Sequence, residues 1–314
     1  MKIGIDLGGS HIGLGVIDSN NNILENYEKD FTEEEKKDIL PVIENYIINM
    51  INNLKNKYNI EGIGIAVPGV TKDGIILKTI NLGINNYNIA KKISENLNLP
   101  VKLRNDAKCA CLAEYENMVN EAQNLKDITM LFLTIGTGIG GGVIYNGKLL
   151  EGHKFEGYEF GHIVIKENGI PCKCGKNGCF EKYGSILEYK KKVKQRLNIP
   201  EDVNSDPLRE IMKARRAEIA DIDNQYISDL ALGISNLINI FEPDTIVLGG
   251  GYSHFSYMFG DRLKNAIVNS NLLFNKRDDI DLRIAKLCIC VNDVKQIFIK
   301  NYSILNSLKK NIIK

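Results

Sequence analysis

Twice in this chain a short apolar run stops at a cluster of glycines and then resumes, and no other pattern limits the fold as much. At the start, residues 3 to 7 and 12 to 17 flank Gly8, Gly9 and Ser10. Further on, the apolar run from Thr129 to Ile135 meets a glycine-rich stretch at 136 to 142, and Val143 to Tyr145 returns. Apolar runs of this length bounded by glycine read as strands joined in a hairpin. Their recurrence suggests an internal duplication, two α/β halves that each present a glycine hairpin to one cleft. Gly8, Gly9, Gly136 and Gly138 carry no Cβ, so their peptide N–H groups can approach phosphate oxygens closely, and Ser10 and Thr137 add hydroxyl donors. Neither stretch is a Walker A loop, because no lysine follows at the required place, and neither has the order of the dinucleotide fingerprint. Either turn alone is equally a plain hairpin; the pair could grip a polyphosphate from two sides.

The remaining pattern alternates helix and strand. Thr32 and Glu35 have capping-box spacing, and Ile39, Ile43, Ile47, Met50, Ile51 and Leu54 recur at helical intervals, which predicts a helix from about 33 to 56. Ile63 to Val67 reads as a buried strand closed by Pro68-Gly69, Ile89 to Leu97 as a helix and Val101 to Leu103 as a strand. Asp106 is placed to cap a helix running to about Asn117. Later helices are expected from Ser185 to Leu197 and along the face Ile227, Leu230, Ala231, Ile234, Leu237, Ile238 and Phe241, with a strand at Thr245 to Leu248 ending in Gly249, Gly250 and Gly251. A last strand is expected at 282 to 290 and a closing helix at 293 to 308.

Between Glu159 and Glu181 one histidine and three cysteines fall within chelating reach. Cys172, Cys174 and Cys179 offer three thiolates on a loop loosened by Gly175 and Gly178, and His162 is the natural fourth ligand of a tetrahedral zinc site. Ordinary buried thiols are the rival reading, but Lys173, Lys176 and Asn177 are interleaved and no apolar periodicity runs through the segment. The remaining cysteines, Cys109/Cys111 and Cys288/Cys290, sit in apolar stretches and are expected as thiols in a reducing compartment. A net charge of +1, from 40 basic and 39 acidic residues, argues against nucleic acid as partner. No N-terminal leader and no apolar run of membrane-spanning length are visible, so a cytoplasmic protein without membrane contact is expected.

Two carboxylates stand where they could act on a phosphorylated ligand. Asp6 ends the first strand beside the glycine turn, where it could hold the hydration shell of Mg²⁺ or merely cap the turn. Asn105-Asp106, between a strand and a helix, is the best candidate for a general base, since a helix N-terminus favours a carboxylate; a simple N-cap is the rival.

Taken in order, Asp6-Leu-Gly-Gly-Ser10, Asn105-Asp106-Ala107, Gly136-Thr-Gly-Ile-Gly140, Glu159-Phe-Gly-His162, Cys172-Lys-Cys-Gly-Lys-Asn-Gly-Cys-Phe-Glu181 and Val247-Leu-Gly-Gly-Gly251 resemble the ROK family of sugar kinases and repressors over residues 1 to about 255. The resemblance implies the α/β, two-domain sugar-kinase/actin/Hsp70-like ATPase fold, a duplicated ribonuclease H-like architecture. It places a small domain at 1–118, joined by a C-terminal helix at about 297–314, and a larger zinc-bearing domain at 119–296. It implies Asp106 as the base that takes the proton of a hexose 6-hydroxyl. Asn81, Asn105, Glu159, His162 and Glu181 would hold the sugar, so that His162 serves both zinc and substrate. Asp6 would support Mg²⁺, Gly8 to His11 and Gly136 to Gly138 would hold the phosphates of ATP, and Gly249 to Gly251 would face the adenosine. Family members commonly form dimers or tetramers, and a homodimer is expected.

Three positions depart from the family pattern. Ser10 and His11 replace the usual Thr followed by Lys or Asn. Asn81 is followed by Leu82-Gly83-Ile84 without the usual Trp, and Leu287 to Gln296 lacks the small-residue pattern that packs the last helix near the nucleotide. The expected activity is an ATP-dependent hexose kinase, glucokinase first, with fructokinase, allokinase and N-acetylhexosamine kinase as alternatives. A sugar-responsive repressor would carry a winged helix ahead of the Asp6 strand, and five residues precede Asp6 here. A non-catalytic sugar-binding relative is the remaining alternative. Cys174→Ser is expected to lose zinc and to weaken sugar binding more than ATP binding.

Overall fold

The apolar runs beside the first glycine cluster pair as antiparallel strands β1 (Lys2–Leu7) and β2 (His11–Ile17), with Asp6 opposite Gly13. A computed structural model describes residues 1–20, 22–122, 125–155 and 157–287. The closing helix expected at 293–308, the helix at 297–314, the Cys288/Cys290 pair and nearly all of the unusual 287–296 segment lie outside the described residues.

β2 continues into β3 (Ile23–Asp30), and β1 pairs in parallel with β4 (Gly62–Val67), which pairs in parallel with β8 (Val101–Asn105). The resulting order is β3-β2-β1-β4-β8. Strands buried on both faces favour apolar side chains, and β2 and β4 are buried at every position, with His11 at the start of β2 as the polar exception. Helices α1 (Ile39–Lys55) and α2 (Ile89–Leu97) contribute Ile43, Ile47, Ile51 and Ile93 to the same core as Ile3, Ile5, Ile63 and Ile65.

The Thr32/Glu35 capping box forms reciprocally, with Thr32 N–H donating to Glu35 (2.9 Å) and Glu35 N–H donating to Thr32 Oγ1 (3.2 Å). It opens a 3₁₀ turn at Glu35–Asp38, and α1 starts at Ile39, later than expected, because Asp38 at φ −141° leaves the helical region. A small sheet of β5 (Val70–Lys72), β6 (Ile75–Lys78) and β7 (Asn85–Tyr87) was not expected, since strands this short carry no readable alternation.

In the second half β9 (Met130–Ile135) and β10 (Ile139–Tyr145) form the second hairpin, and the two-residue β11 (Lys148–Leu149) follows. β12 (Thr245–Gly249) lies parallel to β9, and β13 (Asp281–Ile284) lies parallel to β12. The arrangement β10-β9-β12-β13 repeats β2-β1-β4-β8 in both pairing and direction, which is the duplication expected from the two hairpins. The glycine stretch at 136–142 does not form one long turn, however: Gly140 to Gly142 continue the strand. A Cβ at Gly141 would collide with the Phe132 carbonyl and press on Phe160, so glycine there serves close packing within a strand.

The remaining α-helices described are α3 (Asp106–Glu121), α4 (Glu181–Gly184), α5 (Ile186–Leu197), α6 (Ser205–Ala214), α7 (Ala220–Phe241) and α8 (Ser256–Val268). Tyr189, Tyr226, Phe255 and Phe259 interlock between α5, α7 and α8, with ring centroids 4.6 to 6.4 Å apart.

The chain divides into two compact units. The first comprises Met1–Lys126, Gly147–Tyr158 and the chain at Leu287; the second comprises Asp127–Asn146 and Glu159–Lys286. Within the first unit, Glu151 pairs with Arg104 (2.8 Å) and the Gly152 carbonyl accepts from Lys72 (3.4 Å). No described helix is long and apolar enough to cross a membrane.

Candidate active site and metal centre

In the first unit the register Asp6↔Ala66↔Arg104 runs across three parallel strands, so Asp6 and Asn105-Asp106 reach the same edge of one sheet. The C-terminal edge of parallel strands is where open α/β sheets bind ligands. Asn105 caps α3: its side-chain oxygen accepts the Lys108 N–H (3.2 Å), while its amide donates to the Gly69 carbonyl (3.0 Å). Asp106 was expected as the cap. It is instead the first helical residue, with its carboxylate accepting the Ala107 N–H at 2.7 Å, and there the helix dipole favours negative charge. Gly69 meets Asn105 at φ +103°, a conformation glycine adopts without strain.

The first hairpin turn is filled by its own neighbours. A Cβ at Gly8 would lie 2.6 Å from His11 Cε1, and one at Gly9 would lie 2.9 Å from Asn81 Cβ. The two glycines therefore admit His11 and Asn81, which joins Asn81 to the Gly8–His11 turn. His11 is buried, and its Nε2 lies 3.5 Å from Asp6 Oδ2 without hydrogen-bond geometry. The Asp6 carboxylate chiefly raises the proton affinity of His11, aided by Glu28 and Asp30, against burial. The replacement of Lys or Asn by His11 thus bears directly on Asp6.

In the second unit Gly136, Thr137 and Gly138 form the turn of the β9–β10 hairpin, closed by Gly136 N–H donating to the Gly138 carbonyl (2.9 Å). The parallel register Gly249↔Thr134 brings the Gly249–Gly251 turn alongside, so that a Cβ at Gly136 would lie 3.7 Å from the Gly251 nitrogen. Gly250, at φ +71°, lies against Thr134 and Ile135.

Glu159 is exposed and precedes a single 3₁₀ turn, Phe160–His162, in which His162 N–H donates to the Glu159 carbonyl (3.0 Å). Gly161 is needed there because a Cβ would strike the Ile139 carbonyl. The ligand atoms of His162, Cys172, Cys174 and Cys179 all lie within 4.8 Å of one another. His162 Nδ1 is 3.6 Å from Cys172 Sγ, and Cys174 Sγ is 3.5 Å from Cys179 Sγ. Gly175 (φ +93°) and Gly178 (φ +78°) make the turns that bring these residues together. Burial first, then Cys174 and Cys172, push the Cys179 thiol up to about 12. A divalent cation relieves that crowding, and three thiolates with one imidazole fit tetrahedral zinc.

Several contacts had no signal in the sequence because they join distant positions. Glu181 Oε2 accepts the Ile139 N–H at 3.1 Å, and Leu187 N–H donates to the Gly136 carbonyl at 3.1 Å. Lys166 reaches buried Asp229 (2.9 Å) and lies 4.4 Å over the Tyr183 ring, while Tyr183 Oη accepts the Ile170 N–H (2.7 Å). These bonds anchor the cysteine-bearing loop to α4 and α7 without any metal.

Sugar kinases are among the known proteins to which this chain is similar. A glucokinase of Halalkalibacterium halodurans is 30% identical over 275 residues, covering 80% of each chain. An N-acetyl-D-glucosamine kinase of Shigella boydii serotype 4 is 28% identical over 81% of this chain and 85% of its own. The crystal structure of a ROK family glucokinase from Streptomyces griseus, in complex with glucose and AMPPNP, superposes with a TM-score of 0.74 at 25% identity, covering 96% of this chain and 98% of that one. The shared fold is the two-domain sugar-kinase/actin/Hsp70-like ATPase architecture. The model of the ROK family matches residues 2–288, and the chain belongs to that family.

Proposed function

We propose that this protein is an ATP-dependent hexose kinase that transfers the γ-phosphoryl group to a sugar 6-hydroxyl, with glucose as the first substrate to test. The observation that carries the reading is the Asn105-Asp106 pair, a carboxylate on the first turn of a helix at the C-terminal edge of parallel strands. In this reading Asp106 takes the proton of the attacking hydroxyl, while Asn81, Asn105, Glu159, His162 and Glu181 hold the sugar's other hydroxyls. Phosphoryl transfer demands mainly positioning and relief of charge on the transferring oxygens. The amides of Gly9 and Ser10 and of Thr137 and Gly138 supply donors for those oxygens, while those of Gly8 and Gly136 close their own hairpins on His11 and Gly138; His11 lies beside the first set, and Gly249 to Gly251 face the adenosine. Magnesium held through Asp6 would neutralise phosphate charge, and zinc on His162, Cys172, Cys174 and Cys179 would be structural, since all four positions are taken by protein.

N-acetylglucosamine is the second candidate sugar, favoured by the kinase relative of that specificity. The protein is proposed to work in the cytoplasm as a homodimer, with a small and a large domain. The test is a coupled ADP-release screen over aldohexoses, ketohexoses and N-acetylhexosamines with Asp106→Asn as control. Loss of a general base costs about 10²- to 10⁴-fold in kcat. Identical rates for Asp106→Asn and the parent, or no sugar-dependent ADP release at all, overturn the reading.

A further inference from the structure

Glu181 stands two residues beyond the metal-ligating Cys179, yet its carboxylate is spent partly on the glycine hairpin. Its Oε2 accepts the Ile139 N–H at 3.1 Å, the first amide after the Gly136–Gly138 turn. The same oxygen fills the space beside Gly138, so that a Cβ there would fall well inside van der Waals contact with it. The neighbouring Gly136 carbonyl accepts the Leu187 N–H at 3.1 Å, from the helix that follows α4. Ile139 is held from its other side too, since its carbonyl lies against Gly161 of the Glu159–His162 turn. A hairpin whose amides must point at phosphate oxygens thus takes its position from the segment that carries the cysteines and the sugar-facing side chains.

We infer that Glu181 is a positioning residue for the Gly136–Gly138 hairpin and couples the hexose-binding surface to the binding of the nucleotide phosphates. The inference rests on the kinase reading above. A carboxylate has two oxygens: one can stay on the Ile139 N–H while the other accepts from a sugar hydroxyl, so a bound sugar fixes the group that fixes the hairpin. Sugar and nucleotide should therefore bind synergistically, each lowering the other's Kd by the same factor. Gly138 is glycine because the carboxylate occupies the space of its side chain.

The test combines calorimetry of AMPPNP, with and without glucose, and backbone hydrogen exchange across residues 135–142 on the full chain. Glu181→Ala should raise the AMPPNP Kd measured without sugar by about 10-fold, abolish the effect of sugar on it, and speed exchange at Ile139; a lost hydrogen bond to a charged group is of that size. Glu181→Gln keeps an acceptor for the Ile139 N–H, so its sugar-free AMPPNP Kd should stay within about 2-fold of the parent. Gly138→Ala displaces only the end of a flexible side chain. It should fold and reproduce the alanine phenotype with the carboxylate still present, which keeps the test decisive if Glu181→Ala does not fold. Unchanged AMPPNP binding and unchanged exchange in both Glu181→Ala and Gly138→Ala, with sugar affinity alone reduced, overturn the inference. If the parent protein binds no nucleotide, the kinase reading fails, and the positioning role is judged by the exchange data alone.

Discussion

Replacing Asn105 separates the two jobs this side chain performs. Its oxygen caps α3 through the Lys108 N–H, and its amide donates to the Gly69 carbonyl. Losing an Asn N-cap costs about 1 kcal/mol. Losing the tether to the half-buried Gly69 carbonyl costs about 1 kcal/mol more. Asn105→Ala should therefore lose about 2 kcal/mol, or about 4–8 °C in Tm if the unit unfolds cooperatively. Asn105→Asp keeps the capping acceptor and loses only the donor, so about half of that loss is expected. The aspartate also sets a second negative charge beside Asp106. Like charges raise a carboxylate's pKa, so if Asp106 is the base as proposed, it is protonated over a wider acid range and the acid limb of the kcat profile moves to higher pH. Urea unfolding followed by circular dichroism supplies the stabilities, and coupled ADP release supplies the profile. An Asn105→Ala protein as stable as the parent, or an Asn105→Asp protein destabilised as much as Asn105→Ala with an unmoved acid limb, would contradict both assigned roles.

Gly178→Ala combines φ +78° with a Cβ driven onto the Lys166 carbonyl, so the metal loop should be displaced; metal stoichiometry should fall, and Tm with it. Cys174→Ser should lose zinc, read by metal analysis, and should weaken nucleotide as well as sugar binding in calorimetry, because the same segment holds the Gly136 hairpin through Glu181 and Leu187. Sequence alone pointed to a loss concentrated on the sugar, and a Cys174→Ser protein with unaltered nucleotide affinity would restore that view. Burial raises the Asp223 carboxyl above its usual 3.8, against the Tyr189 hydrogen bond (2.6 Å) and Arg262. The folded state therefore holds a proton that the unfolded state has released, and stability falls as pH rises from about 3.8 through the folded value. Asp223→Asn lacks this proton, so its stability relative to the parent should improve as pH rises above the usual value of 3.8 in urea titrations, and a constant difference would contradict the sign.

Local chemistry wrote much of the fold legibly into the chain. The hairpins at Gly8 and Gly136, the helix at Ile89–Leu97 and the strand at Thr245–Gly249 follow from runs of apolar residues punctuated by glycine and capping side chains. The Thr32/Glu35 box was equally visible, but its helix was misplaced, since the break at Asp38 is a backbone feature that composition does not reveal. Gly140 to Gly142 looked like turn residues because glycine's signal is the same whether it frees a backbone or makes room for a neighbour. The small β5–β7 sheet was illegible for want of length.

Legible in the chain were the separate pieces: a Cys/His set of chelating spacing within a short loop, two glycine turns, and an Asn-Asp pair at a strand-to-helix junction. Each depends on residues close together in the chain, so spacing alone could reveal it. Within each unit, the packing set which of their neighbours they touch. It made Asn105, not Asp106, the cap, set His11 against Asp6, and brought Glu181 onto the amide of Ile139. Such contacts are set by strand order and packing, which place side chains distant in sequence within a few ångströms, and no local pattern records them.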